Sequence, residues 1–191
     1  MRLYIGLVHY PVYNKNFERI ASAITTIDLH DIARLARTYE VRRFFVITPL
    51  DDQKLLAEQI RRHWTEGYGA RYNADRKEAF GLLRVVSTIE QATSDVAENE
   101  EETPLLIATD ASKQETGAVS YEMARNIIFG GRPVILIFGT AWGLDKAVIT
   151  SADHVLEPIS GRTSYNHLSV RSAVAIILDR LVCQHRWKAP L

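Results

Sequence analysis

The chain reads as an α/β protein, with a mostly parallel sheet and helices on both of its faces. Three observations support this. Short apolar runs recur along the chain, segments with helical apolar spacing lie between them, and the two kinds alternate throughout. Strict alternation builds parallel strands, because each return to the sheet needs a crossover long enough for a helix.

The elements follow in order. Leu3 to His9 is the first strand, Leu-Tyr-Ile-Gly-Leu-Val-His. Ile27 to Tyr39 is helical, with Ile32, Leu35, Ala36 and Tyr39 on one face. Phe44 to Thr48 is the second strand, stopped by Pro49, and Asp51 to Thr65 is a helix with a stripe of Leu56, Ile60 and Trp64. Leu83 to Ser87 is a third strand, followed by a weak helix from Thr88 to about Ala97. Leu105 to Thr109 is a fourth, Ser120 to Phe129 a helix, and Pro133 to Phe138 a fifth strand. His154 to Leu156 is a brief sixth, and an apolar final helix runs from Leu168 to about His185. The stretch from Gly67 to Leu82 shows little periodicity and reads as a long loop, a feature that in compact domains is often functional. The acidic run Glu98 to Glu102 reads as a solvated loop. With no repeats and no low-complexity linker, residues 1–191 form one expected domain.

Composition narrows the function classes. Hydrophobic residues make up 47 % and charged residues 24 %, ordinary for a soluble protein. Lysine plus arginine and aspartate plus glutamate number 23 each, so no global field favours nucleic acid, and any such site must be a local patch. A single cysteine, Cys183, fits a reducing compartment and is expected in the core of the final helix. No run approaches the roughly 18 apolar residues of a membrane span, so a cytoplasmic location with no membrane partner is expected. No metal site is expected.

Two glycine-bearing loops stand out. One, Phe138-Gly-Thr-Ala-Trp-Gly-Leu144, follows the fifth strand; the other runs from Leu156 into the final helix. Loops at strand ends are where α/β proteins hold nucleotide-like ligands. Neither Gly-x-x-x-x-Gly-Lys-Ser/Thr nor Gly-x-Gly-x-x-Gly occurs, so a triphosphate or dinucleotide is disfavoured. Trp142 in so tight a turn reads as a side chain that covers something.

The segment Pro158-Ile-Ser-Gly-Arg-Thr-Ser-Tyr-Asn-His-Leu-Ser-Val-Arg-Ser-Ala173 resembles the third motif of SPOUT RNA methyltransferases, with Gly161, Asn166, Ser169 and Val170 in comparable places. The Phe138 to Leu144 loop resembles the second motif, without its usual glutamate. Asp28-Leu-His-Asp-Ile-Ala-Arg34 resembles the first, with Arg34 on the arginine position and Asp28 where an asparagine usually stands. Along nearly its whole length, including Leu3 to Asn16 and Gly67-Tyr-Gly, the chain is similar to a small group of predicted SAM-dependent RNA methyltransferases.

The resemblance implies a C-terminal deep trefoil knot, with the chain from about Leu156 threading a loop, and a homodimer. It implies S-adenosylmethionine as cofactor. One wall of the pocket would be Ile137, Phe138, Gly139, Trp142, Gly143 and Leu144. The other would be Leu156, Pro158, Ile159, Tyr165, Asn166, His167, Leu168 and Ser169, with Thr109 from the first cofactor loop. It implies methyl transfer to a base nitrogen or ribose hydroxyl of tRNA or rRNA, with Arg34 and Asp28 as catalytic candidates. Thr25-x-x-Asp28 equally fits a capping box, and His30 fits an exposed position. His9 ends the first strand near the expected site, where a lone histidine is more often structural.

RNA contacts are expected from the basic cluster Arg61, Arg62, Arg71, Arg76 and Lys77, with His63, Trp64, Tyr68 and Tyr72 among them and Arg42 and Arg43 as an extension. Arg61 and Arg62 also lie where a helix C-terminus favours cations. The rival reading is a non-catalytic, knotted RNA-binding or regulatory protein, because two motifs depart from their usual residues. A flavodoxin-like protein holding FMN fits less well, since no phosphate loop follows the first strand.

Overall fold

A computed structural model describes residues 1–112, 117–163 and 165–183. Seven strands form one sheet in the order β5-β4-β1-β8-β6-β9-β7. They are β1 (Leu3–Val8), β4 (Arg43–Ile47), β5 (Leu83–Val86), β6 (Leu105–Thr109), β7 (Ala118–Val119), β8 (Val134–Gly139) and β9 (His154–Leu156). Every pairing in this sheet is parallel. A small antiparallel hairpin, β2 (Val12–Tyr13) with β3 (Arg19–Ile20), stands outside it.

The helices are α1 (Thr26–Thr38), α2 (Asp51–Thr65), α3 (Tyr68–Tyr72), α4 (Ala74–Gly81), α5 (Ile89–Glu100), α6 (Tyr121–Phe129), α7 (Lys146–Ser151) and α8 (Val170–Val182). Side chains alternate across β1, which divides the core. Leu3, Ile5 and Leu7 face α1, α4, α6 and α8, packing with Leu29, Ile32, Phe80, Ile128 and Leu178. Tyr4 and Val8 face the other way, toward Ala92 and Val96 of α5 and Val148 of α7. Both faces of the sheet are covered, which is why the strands read as continuous apolar runs. Gly6 sits at the centre, where an added Cβ would lie 3.1 Å from Ile47 and 3.2 Å from Ile137.

Helix starts follow local chemistry. Thr25, Asn73, Thr88, Ser120, Asp145 and Ser169 each accept a hydrogen bond from a backbone N–H of the first turn. Only α2 and α3 lack such a cap among the described helices. For α2, Asp51 and Asp52 in the first turn complement the helix dipole instead.

Several expectations change. The stretch from Gly67 to Leu82 is not a loop but two short helices, α3 and α4, packed on α2. Gly69 permits that approach, since an added Cβ would meet Trp64 at 2.6 Å. Leu56 is 37 % exposed, so the buried stripe of α2 is Ala57 with Ile60 and Trp64 beside it. Glu98 and Asn99 lie inside α5, whose end is marked by Glu101 in the left-handed region. The final helix spans Val170–Val182; Cys183 is its half-buried C-cap rather than a core residue, and His185 lies outside the described residues. The hairpin, β7 and α7 had no counterpart in the sequence reading.

Candidate functional site

Three neighbouring strands, β8, β6 and β9, all end on the same edge of the sheet, and their connections form the candidate pocket. The loop after β8 turns back at once. Gly139 allows this, because a Cβ there would meet the Leu144 nitrogen at 2.5 Å. Ala141 and Gly143 both have positive φ, 51° and 102°, so the turn holds one residue in a region that L side chains rarely adopt. The β2–β3 hairpin pins it from outside. Trp142 N–H donates to the Tyr13 carbonyl at 2.9 Å, and Tyr13 N–H donates to the Gly143 carbonyl at 3.0 Å. Asp145 then accepts two hydrogen bonds from Arg19, at 2.7 and 3.1 Å, while capping α7. The Arg19 bonds outweigh burial and hold the Asp145 carboxyl below its ordinary range.

The connection after β9 is tied to both ends of the one after β6. Glu157 N–H donates to the Val119 carbonyl at 2.9 Å, and a Glu157 oxygen accepts from Tyr121 N–H at 2.9 Å. The Asn166 side-chain amide donates to the Ala111 carbonyl at 2.9 Å. Thr109 donates its hydroxyl proton to the Ile137 carbonyl at 3.0 Å, linking β6 to β8. Ser169 caps α8.

Burial separates the pocket candidates into kinds. Ile137, Phe138, Leu144 and Leu156 are buried in the core, so what they offer a ligand is their backbone. Pro158, Ile159 and Asn166 are half-buried, whereas His167, Leu168 and Ser169 are exposed. Tyr165 is 72 % exposed and meets the His167 ring edge-on at 5.2 Å. Trp142 is 61 % exposed; the turn around it is made by backbone bonds, not by its indole. The described loops carry backbone groups, small residues and apolar walls, with Arg162 as a lone exposed cation. Such a donor set suits an adenosyl group and a sulfonium better than a polyphosphate.

Beneath the loop lies a buried polar chain. His9 Nδ1 meets the Ser22 hydroxyl at 3.0 Å, Ser22 meets the Thr140 hydroxyl at 2.5 Å, and Thr140 donates to the Val8 carbonyl at 3.0 Å. His9 is 1 % exposed, and its Nε2 has no hydrogen-bond partner among the described residues. Burial lowers its pKa to about 4, against the raising field of Asp28.

Asp28 is a helix-start residue. Its N–H donates to the Thr25 hydroxyl at 3.3 Å, that hydroxyl donates to one carboxylate oxygen at 2.5 Å, and Arg171 donates to the other at 3.2 Å. Both oxygens are therefore engaged, as in an anchor between α1 and α8. Arg34 differs. It is exposed on α1, has no ion-pair partner among the described residues, and lines two adjoining clefts. The larger, of about 420 Å³, runs between α1 and α8 past Asp31, Arg171 and Ser172. The smaller, of about 150 Å³, lies toward Asn73, Asp75 and Arg76. His30 is not exposed as expected: it packs edge-on to Trp64 and Phe80, with ring centroids at 5.3 and 4.7 Å.

The basic cluster divides as well. Arg61 is held by Glu58 at 2.8 Å. The Arg76 guanidinium lies 4.5 Å above the Trp64 ring. Arg62, Arg71 and Lys77 are exposed and have no acidic partner among the described residues. Arg42 and Arg43 do not extend the cluster, because they bond Glu100 and Asp95 beside α5. Among the described residues no group of three or more His, Cys, Asp or Glu side chains is placed to hold a metal.

A family profile described as SAM-dependent RNA methyltransferase matches residues 2–183. The chain belongs to that family. A tRNA (guanine-N(1)-)-methyltransferase of Oleidesulfovibrio alaskensis is 42 % identical over 180 residues, which cover 94 % of this chain and 42 % of that protein. The chain thus spans less than half the length of this relative. Among solved structures, a putative methylase family protein from Neisseria gonorrhoeae superposes with a TM-score of 0.64 at 15 % identity, covering 100 % of this chain and 88 % of that one. The SpoU methyltransferase AviRb from Streptomyces viridochromogenes, in complex with AdoMet, gives a TM-score of 0.57 at 16 % identity, covering 95 % and 57 %. These likenesses show a shared SPOUT fold.

For this family member, sequence reasoning missed the hairpin that braces the Gly139–Leu144 turn and the partner of Asp28, Arg171. The hairpin had a local signal: the Asn14 side chain accepts from the N–H groups of Asn16 and Glu18, the kind of turn asparagine favours. The Arg171–Asp28 pair had none, being separated by 143 positions.

Proposed function

We propose that this chain is a SAM-dependent RNA methyltransferase domain acting on a base nitrogen or ribose hydroxyl of tRNA or rRNA in the cytoplasm. The observation that carries the reading is the convergence of the loops after β8, β6 and β9, joined by the Asn166–Ala111 and Glu157–Val119 bonds, in a chain matched by the family profile over residues 2–183. The bonds of Glu157 to Val119 and of Asn166 to Ala111, at the two ends of the β6–β7 connection, also support the trefoil knot expected there.

The cofactor supplies an electrophilic methyl group on a sulfonium sulfur. The residues that would hold it are the backbone from Ile137 to Leu144, the half-buried Pro158 and Ile159, and Asn166. Thr109 orients the β6 end through its bond to Ile137. Methyl transfer is a displacement in line with the sulfur, so placement of the nucleophile dominates the rate. Arg34, an exposed guanidinium with no ion-pair partner among the described residues, would hold substrate phosphate or an electron-rich oxygen in the clefts it lines. Asp28 would act through position: by fixing Arg171 and the start of α1, it sets where Arg34 points. A homodimer across α1 and α8 would enclose the larger cleft.

The test is calorimetry of the purified chain with S-adenosylmethionine, followed by transfer assays on Arg34→Ala. Heat of association with micromolar affinity is expected. The variant should bind cofactor normally yet lose about a hundredfold or more in transfer rate. No heat of association removes the reading.

A further inference from the structure

The face built by α2, α3 and α4 carries an arrangement that the family reading does not assign. Tyr68 and Tyr72 stand one helical turn apart on α3, 73 % and 76 % exposed, with rings stacked at 6.1 Å and 19°. Such exposure of two large rings is unusual unless something stacks on them. Gly69 between them lets α3 lie directly on Trp64, and Trp64 stacks on the core residue Phe80 at 6.2 Å. The Arg76 guanidinium lies over the Trp64 ring, 4.5 Å from its centroid. Arg71 projects from the same short helix, with Lys77 and Arg62 on its neighbours.

The face is continuous with the candidate catalytic arginine. Asn73, the residue between α3 and α4, lines the smaller cleft together with Arg76 and Arg34; Arg34 in turn lines the larger one. Asp75 is the acid on that path, in the first turn of α4.

We infer that this face is a binding track for single-stranded RNA, in which Tyr68 and Tyr72 stack an unpaired base and Arg71, Arg76 and Arg34 carry the backbone toward the pocket. The inference rests on the proposed methyltransferase reading and specifies which RNA that enzyme accepts: a loop or bulge, not a continuous duplex. Flat aromatic rings need a base whose face is free, and bases in a duplex have none. The unpaired cations supply the phosphate contacts. A duplex-binding surface would need cations without rings, and an apolar protein partner would not be matched by Arg62, Arg71 and Lys77.

The experiment compares a short RNA strand with the same strand annealed to its complement, measured by fluorescence anisotropy at about 0.1 M salt. The single strand should bind at least about tenfold more tightly. Tyr68→Ala with Tyr72→Ala should weaken it about tenfold or more, whereas Tyr68→Phe with Tyr72→Phe should retain it, because stacking needs the ring and not the hydroxyl. Cofactor affinity, measured on the same variants, should not change. Equal binding of strand and duplex, wild-type binding by the alanine pair, or no RNA binding at all overturns the track. A chain that binds the single strand but no S-adenosylmethionine sinks the methyltransferase reading and leaves the track standing. One that binds the cofactor but neither RNA does the reverse.

Discussion

Two sets of basic residues serve opposite purposes in this molecule. At the edge of the sheet beside α5, Arg2, Arg42, Arg43 and Arg84 reach into carboxylates. Glu100 bonds Arg42 and the Tyr4 hydroxyl and lies 3.6 Å from Arg2; Asp95 bonds Arg43, with Arg84 at 2.7 Å. On α2, α3 and α4, Arg62, Arg71 and Lys77 face solvent with no acidic partner among the described residues. Composition and net charge make no distinction between them. The difference lies in what the fold brings alongside: at one place an acidic helix, at the other aromatic rings. A neutral protein can therefore keep a local group of bases outside any ion pair, provided other bases take up its acids.

The largest expected effect breaks the comparison from the cationic side. Arg71→Glu, Arg76→Glu and Lys77→Glu together should lower RNA affinity by about a thousandfold at low salt and flatten its salt dependence by about one unit of slope per residue. Cofactor titration and melting temperature should stay near those of the parent. An unchanged salt slope would show that these cations touch no phosphate.

From the other side, Asp95→Ala leaves Arg43 and Arg84 without their shared partner. Asp95 is 9 % exposed and its arginines are partly exposed, so a loss of about 2–3 kcal/mol is expected in denaturant unfolding, with RNA affinity unchanged.

Acid sharpens the contrast. His9 titrates near 4 when folded and near 6.5 when unfolded. Between those values the unfolded chain binds more protons, so stability is full above about pH 6.5 and falls as pH drops toward 4, by about 3 kcal/mol. Glu100 follows at lower pH. Burial raises its pKa, but the bonds from Tyr4 and Arg42 prevail and hold it below the ordinary 4.5. Its contribution is present above 4.5 and is lost as pH falls below that value. Unfolding curves of the parent and His9→Gln should converge in slope below pH 4 and diverge between 4 and 6.5; a flat parent curve there would refute the buried neutral imidazole. Smallest of all, Ala141→Gly should stabilise the Gly139–Leu144 turn by less than about 1 kcal/mol by relieving a positive φ.

What was readable in the sequence had local causes. The strands were legible because both sheet faces are covered, so each appears as an unbroken apolar run. Their neighbours were not: β1 pairs with β8 across more than a hundred positions, and nothing near Leu3 marks that partner. The loops at Gly139 and Leu156 announced themselves through glycine and polar residues at strand ends. Trp142 stood out as a bulky residue in a tight turn; backbone bonds make that turn, and the indole is exposed beside it. The α3–α4 pair was invisible because Gly69 and Asn73 read as loop residues, while in the structure one permits contact with Trp64 and the other caps α4. Asp28 carried both readings in one residue, and only the position of Arg171, far along the chain, weighs between them.

The adjacency of β1 and β8 also governs how the chain comes into being. Strand β1, which lies between β4 and β8, must wait for Val134–Gly139 before its second flank is covered. Until the ribosome has released that stretch, a greasy ribbon stays open to aggregation or to a chaperone. Birth of the domain is thus timed by its own final third, the same third that carries the loops of the proposed cofactor site.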